Sequence, residues 1–179
     1  IAGNVSEAVK LALFDAQRFM MDVVDEAKTV FWLNQEFFDQ VMDVNFRSTF
    51  LTTRAVVPHM SEGAAIVNFA SQAGRDGGGP GASLYAASKA AVMTFTRAMA
   101  KELGPKGIRV NALCCGMIST RFHDDFTKPE VRQAVANGTP LRREGRPQEA
   151  ADVAVFLASG AASFMTGANV DVNGGTYFS

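Results

Sequence analysis

The chain has two cysteines, Cys114 and Cys115, and they are adjacent. Sequence neighbours seldom meet disulfide geometry. They therefore read as reduced thiols, which fits a cytoplasmic protein. Long apolar runs are also missing: none approaches the ~20 residues of a membrane span. No signal-peptide pattern opens the chain, so no membrane partner is expected. Charge of one sign is lacking, the formal net charge being -1, and nothing resembles the basic footprint of a nucleic-acid binder. Histidine is scarce. His59 and His123 stand far apart without metal-ligand spacing, so no metal site is expected. What remains is a chain of 179 residues, 47% hydrophobic, which suits one domain, residues 1–179, with a sizeable core.

Glycine and proline are absent between residues 4 and 31. Apolar residues recur there at helical spacing, from Val5, Ala8 and Val9 to Val24, Ala27 and Val30, and Asn4 with Glu7 has the form of a capping box. Asn34 can cap a second helix that runs to the region of Pro58 and carries Phe37, Phe38, Val41, Phe46, Phe50 and Leu51. Ala64 to Ala70 reads as a buried strand ending at Ser71. The loop from Gln72 to Ser83 holds five glycines. Gly77-x-Gly79-x-x-Ala82 only loosely imitates a dinucleotide-binding turn, because the loop is long and no strand with an acidic end follows at the expected place. A helix from Leu84 to Leu103, stopped by Gly104-Pro105, is followed by a strand from Ile108 to Cys114. Strand–helix–strand in this order favours parallel pairing. Thr127 to Gly138 reads as a short helix that, with Phe122, Phe126 and Leu141, can form a substrate lid. Pro147 opens a last helix to Ser159, with Ala151, Val155, Phe156 and Leu157 expected inward, before a strand at Asn169–Val172.

Tyr85 and Lys89 are four residues apart, one turn on one helix face. An ammonium that close favours the phenolate and is expected to draw the phenol down from its usual pKa of about 10. Such a tyrosine can exchange a proton with an alcohol or carbonyl oxygen.

Ile66-Val67-Asn68-Phe69-Ala70-Ser71, Tyr85-Ala86-Ala87-Ser88-Lys89 and Gly107-Ile108-Arg109-Val110-Asn111-Ala112, in this order and spacing, resemble the short-chain dehydrogenase/reductase family. Gly145-Arg146-Pro147 and Asp171-Val172-Asn173-Gly174-Gly175 resemble its C-terminal part, so the likeness runs from about Asn34 to Gly175. The resemblance implies an α/β fold, a Rossmann-like doubly wound parallel sheet. It implies hydride transfer between NAD or NADP and a secondary alcohol or ketone. Tyr85 would be the acid or base, and Ser71 would hold the substrate oxygen. Lys89 would lower the Tyr85 pKa and bind the nicotinamide ribose, with Asn45 holding a water in the proton relay. Gly116, Ile118 and Thr120 would lie along the nicotinamide half of the cofactor. Cys115 stands where the family usually has proline. Helices 36–57 and 84–103 would pair across two-fold axes into a homo-oligomer, dimer or tetramer.

The front of the chain departs from the family. Ala2-Gly3 can be the end of its Asn-Asn-Ala-Gly motif, but the N-terminal cofactor-binding strands and glycine-rich turn are lacking. Two readings follow: an oxidoreductase whose cofactor half is not in this chain, or a truncated, non-catalytic homologue acting as a structural or interaction protein. The first expects no adenosine site within residues 1–179 and expects Ser71, Tyr85 and Lys89 to face one cleft.

Overall fold

A computed structural model describes residues 34–179. The helix expected between Asn4 and Phe31 lies outside the described residues. The first helical stretch starts as expected, with the Asn34 side chain accepting the Glu36 amide at 2.7 Å. It is not uniform. Helix α1 (Gln35–Met42) passes through a π-turn (Asp43–Arg47) into α2 (Ser48–Val56), and a 3-10 turn at Val57–His59 closes it. A π-turn inserts one residue and re-aims its neighbours. Here it turns Phe46 onto the core beside Val92 and Met93.

Strand β1 (Ala65–Ser71) leads into a one-turn helix, α3 (Ala73–Asp76), where the sequence suggested only loop. Gly77 ends that turn at φ 87°, a conformation glycine adopts without strain. Helix α4 (Ser83–Leu103) carries the chain back, and strand β2 (Arg109–Cys115) returns parallel to β1. After β2 come α5 (Arg121–Phe126), α6 (Pro129–Gly138) and α7 (Pro147–Ala158). Strand β3 (Asn169–Val172) then lies parallel to β2 on its other side, giving the order β1-β2-β3.

The sheet is covered on both faces. Ala70, Ala112 and Cys114 pack with Val92 and Met93 of α4 on one side. Leu113 packs with Leu157 of α7 and Ala162 on the other. The central strand β2 is therefore apolar nearly throughout, as a doubly covered parallel strand must be. Two buried amides pin the layers. Asn68 donates to the Thr96 hydroxyl of α4 at 2.9 Å. Asn111 donates to the Met165 carbonyl at 2.8 Å and accepts from the Ala168 amide at 3.0 Å.

The inward face of α7 differs from the expected one. Ala150, Val153, Ala154 and Leu157 face or approach the sheet, at i, i+3, i+4 and i+7. Val155 is 69% exposed and Phe156 43% exposed, and Ala151 is exposed as well. The helix has more apolar residues than one face can bury, so composition alone did not choose among them.

Arg109 holds the far end of α7. Its guanidinium donates to the carbonyls of Leu157, Ala158, Ser159 and Ala162 at 2.7–3.3 Å. Leu157 and Ala158 end the helix, where carbonyls lack intrahelical partners, and the planar fork reaches these and the next turn at once. Arg109→Met should lower stability by about 1.5–3 kcal/mol, the usual worth of charged hydrogen bonds. Arg109→Lys should recover less than half, since a point charge lacks the fork. Urea unfolding checks both, and an unchanged midpoint in Arg109→Met would contradict the role.

Candidate active site

The parallel register sets the site. Ser71 is the last residue of β1 and lies opposite Cys115, the last of β2, which lies opposite Val172, the last of β3. The three carboxyl ends thus finish in one row, where open α/β sheets bind ligands. The ladder continues past them, with Gln72 N donating to Cys115 O at 2.9 Å and Gly116 N to Val172 O at 3.1 Å.

Tyr85 and Lys89 come to this row from the first turns of α4. Lys89 Nζ donates to the Phe69 carbonyl of β1 at 3.0 Å and stands 5.7 Å from the centre of the Tyr85 ring. The Ser71 hydroxyl neighbours the Tyr85 phenol and favours its ionised form. Ser71 Oγ also accepts the Ala73 amide at 3.2 Å, which leaves its proton for a further acceptor. Ser71, Tyr85 and Lys89 therefore share one site.

One expectation about this cluster is not met. Lys89 does not draw the Tyr85 phenol down. Burial dominates and raises the Tyr85 pKa above 10.0; the Ser71 hydroxyl opposes this, and the neighbouring Cys115 adds to it. Burial also lowers Lys89, to about 8. The same burial that brings the two groups together disfavours the charged form of each. The ammonium donates to the Phe69 carbonyl, and no hydrogen bond among the described residues joins it to the phenol. Cys115 is pushed up to about 11, mainly by burial, so its thiol stays protonated here.

No hydrogen bond among the described residues joins Asn45 to these three. Its amide donates to the Val41 carbonyl at 3.0 Å, and its carbonyl accepts the Thr49 hydroxyl at 2.9 Å, both within its own helical stretch.

The residues expected along the cofactor divide. Gly116 is crowded by protein: a Cβ there would lie 2.8 Å from Asn173 Cα. Ile118 pairs with Gly145 in a parallel bridge, with Gly145 N bonding Met117 O and Ser119 N bonding Gly145 O. Such a bridge leaves the amide and carbonyl of Ile118 itself facing away from Gly145. Thr120 precedes α5 at its cap position, and its hydroxyl makes no capping bond. With Lys89, these groups fit the nicotinamide half of a dinucleotide. The glycine loop after β1 does not fit the other half, since Gly77 closes a helical turn instead of cradling an anion.

Sequence reasoning missed two features. One is α5, a helix too short to show periodicity. The other is Arg132 of α6, which grips both carboxylate oxygens of Glu144 at 2.7 Å and also bonds Asp124 of α5. This ties the suspected lid together, and no spacing in the sequence announces a pair so far apart. A cavity of about 390 Å³ lined by Gly63, Gly107, Arg109, Gly160, Ser163 and Thr166 lies around the start of β2, the opposite strand end. It holds none of Ser71, Tyr85 and Lys89.

Residues 21–177 match the family model described as enoyl-(acyl carrier protein) reductase. That span is most of the chain. The chain belongs to the short-chain dehydrogenase/reductase family. A 3-oxoacyl-(acyl-carrier-protein) reductase of Thermotoga maritima is 39% identical over 145 residues, 80% of this chain and 58% of that protein. A cyclopentanol dehydrogenase of Comamonas is also 39% identical over 145 residues, 79% of this chain and 58% of that protein. The crystal structure of a 3-oxoacyl-(acyl-carrier protein) reductase with bound NAD from Brucella melitensis superposes with a TM-score of 0.76 at 42% identity, covering 86% of this chain and 56% of that one. The chain is also similar to a 4-hydroxyisoleucine dehydrogenase mutant complexed with NADH and succinate, and to a blue fluorescent protein from a metagenomic library in complex with NADPH. The chain thus spans little more than half the length of these relatives, and its three strands and flanking helices are the corresponding part of their Rossmann-like fold.

Tyr85 and Tyr177 are the two tyrosines of the sequence. In a Tyr177→Phe background, absorbance titration should therefore read Tyr85 alone, with a midpoint above 10. Adding Ser71→Ala should raise it further, because the lost hydroxyl favours the phenolate. A midpoint below 10 would contradict the burial described here.

Proposed function

We propose that the protein carrying this chain transfers a hydride between NAD(P) and a carbon bearing oxygen, and that it works on ketones and secondary alcohols. The observation that supports this best is the meeting of Ser71, Tyr85 and Lys89 where the parallel strands end. A bound nicotinamide supplies the hydride. The chain's own residues manage the oxygen. Ser71 donates a hydrogen bond to it and steadies the charge that develops there. Tyr85, held neutral by burial, donates a proton in the reducing direction. The neighbouring Ser71 hydroxyl favours the phenolate left behind. Lys89, still mostly charged at pH 7 with a pKa of about 8, is placed to bond ribose hydroxyls. Asn45 completes a water path behind it. The relatives named above point to 3-oxoacyl thioesters and cyclic ketones as the first substrates to try. No helix among the described residues is long and apolar enough to cross a membrane, in keeping with work in the cytoplasm on small molecules.

Assembly belongs to the same reading. Of the apolar residues on α2 and α4, Met93 is buried in the chain's own core, with Phe46 packed on it. Phe50 and Leu51 are 42% and 47% exposed, and Phe50 meets Phe95 edge-on at 6.3 Å. Two-fold pairing would cover such a face.

Tyr85→Phe keeps the ring and should cost turnover at least the ~100-fold of a general acid, with the fold intact. Near-normal turnover would sink the assignment. Lys89→Met should weaken NADH or NADPH binding, followed by cofactor fluorescence, as well as turnover; unchanged affinity would argue against the ribose contact. Sedimentation should give a dimer or tetramer at micromolar concentration, and monomer alone would contradict the pairing.

A further inference from the structure

Arg75 stands outside the reacting cluster but is joined to it through α3. Its Nη2 donates to the Asn169 carbonyl of β3 at 2.6 Å, and its Nε lies 2.9 Å from Asp171 Oδ1 on the same strand. The two side chains are only 13% and 17% exposed. These two facing atoms make no aligned hydrogen bond, so charge holds them. Cys114 of β2 sits opposite Asp171, and the Arg75 charge acts on its thiol. The Tyr177 ring lies 5.8 Å from the central carbon of the guanidinium. Arg75 thus ties α3 to β3.

At its other end, α3 touches two of the reacting residues. The Ala73 amide bonds Ser71 Oγ at 3.2 Å. Gly74 is pressed against α4, where a Cβ would lie 2.9 Å from the Lys89 carbonyl carbon and 2.8 Å from the Ala90 nitrogen. The turn is therefore a wedge between Ser71 and the first turns of α4, and Arg75 bolts it to the sheet.

We propose that Arg75 and Asp171 are positioning residues: their ion pair fixes α3 so that the Ser71 hydroxyl is aimed at the Tyr85 oxygen and at the substrate oxygen beside it. This rests on the hydride-transfer reading of the site. Neither residue touches substrate. Their effect travels through the Ala73 amide and the Gly74 contact, and a hydroxyl that swings away costs rate more than binding.

The test uses the intact protein, with Tyr85 read as the difference between titrations with and without Tyr85→Phe. Arg75→Gln and Asp171→Asn should each raise the Tyr85 titration midpoint by the amount that Ser71→Ala does. With ketone and NAD(P)H, kcat should fall ~10- to 100-fold while KM changes by no more than about twofold. Arg75→Lys should recover most of both effects. Single variants leave a largely buried charge without its partner and can unfold. The paired Arg75→Met, Asp171→Leu variant removes both charges and should show the same shift in folded protein, as judged by circular dichroism. A Tyr85 midpoint that stays put, or falls, in folded variants overturns the proposal. Failure of every variant to fold assigns the pair to folding alone and overturns it too. If the parent protein transfers no hydride, the proposed function fails, and the titration, which needs no turnover, still decides the role of the pair.

Discussion

The site depends on the parallel alignment of β1 with β2. That alignment sets Ser71 against Cys115, and β3 extends the row to Val172. A slip of one residue would send Ser71 to the other face of the sheet. The crossover helix α4 can place Tyr85 and Lys89 over this row because its body is fixed to the sheet, by Val92 and Met93 in the core and by the buried Asn68–Thr96 bond. Packing along the middle of α4 thus determines chemistry at its first turns.

Burial and charge oppose each other at those first turns. Tyr85 and Lys89 are sheltered enough that neither ionises as it would in water, so the phenol is raised and the amine lowered. A neutral phenol is the form that gives a proton to a carbonyl oxygen. Under the proposed reduction, that is the state in which the protein would wait. Ser71 is the counterweight, since its hydroxyl favours the phenolate. The short turn α3 touches both Ser71 and the first turns of α4.

Much of this could be read from residue order. The helix cap at Asn34, the strand ending at Ser71, the long helix opening just before Tyr85 and the strand after Gly107 are all local signals, and the structure has them within a residue or so. Ser71, Tyr85 and Lys89 could be named because a parallel crossover brings a strand's end to the start of the following helix. The direction of the Tyr85 shift could not be read, because spacing shows the distance between Tyr85 and Lys89 but not how much water reaches them. The inward face of α7 was misread because that helix carries apolar residues on more than one side. The Arg75–Asp171 and Arg132–Glu144 pairs join residues 96 and 12 positions apart, and only the folded chain makes them neighbours.

Hydride transfer itself is the most direct test. The intact protein would be incubated with NADH or NADPH carrying deuterium at the transferring carbon of the nicotinamide, together with 3-oxoacyl thioesters and cyclic ketones. Deuterium should appear on the carbinol carbon of the product alcohol, while the hydroxyl proton comes from solvent by way of Tyr85. Product alcohol without deuterium from either face of either cofactor, or no product with any of these ketones, would contradict the reading of this site.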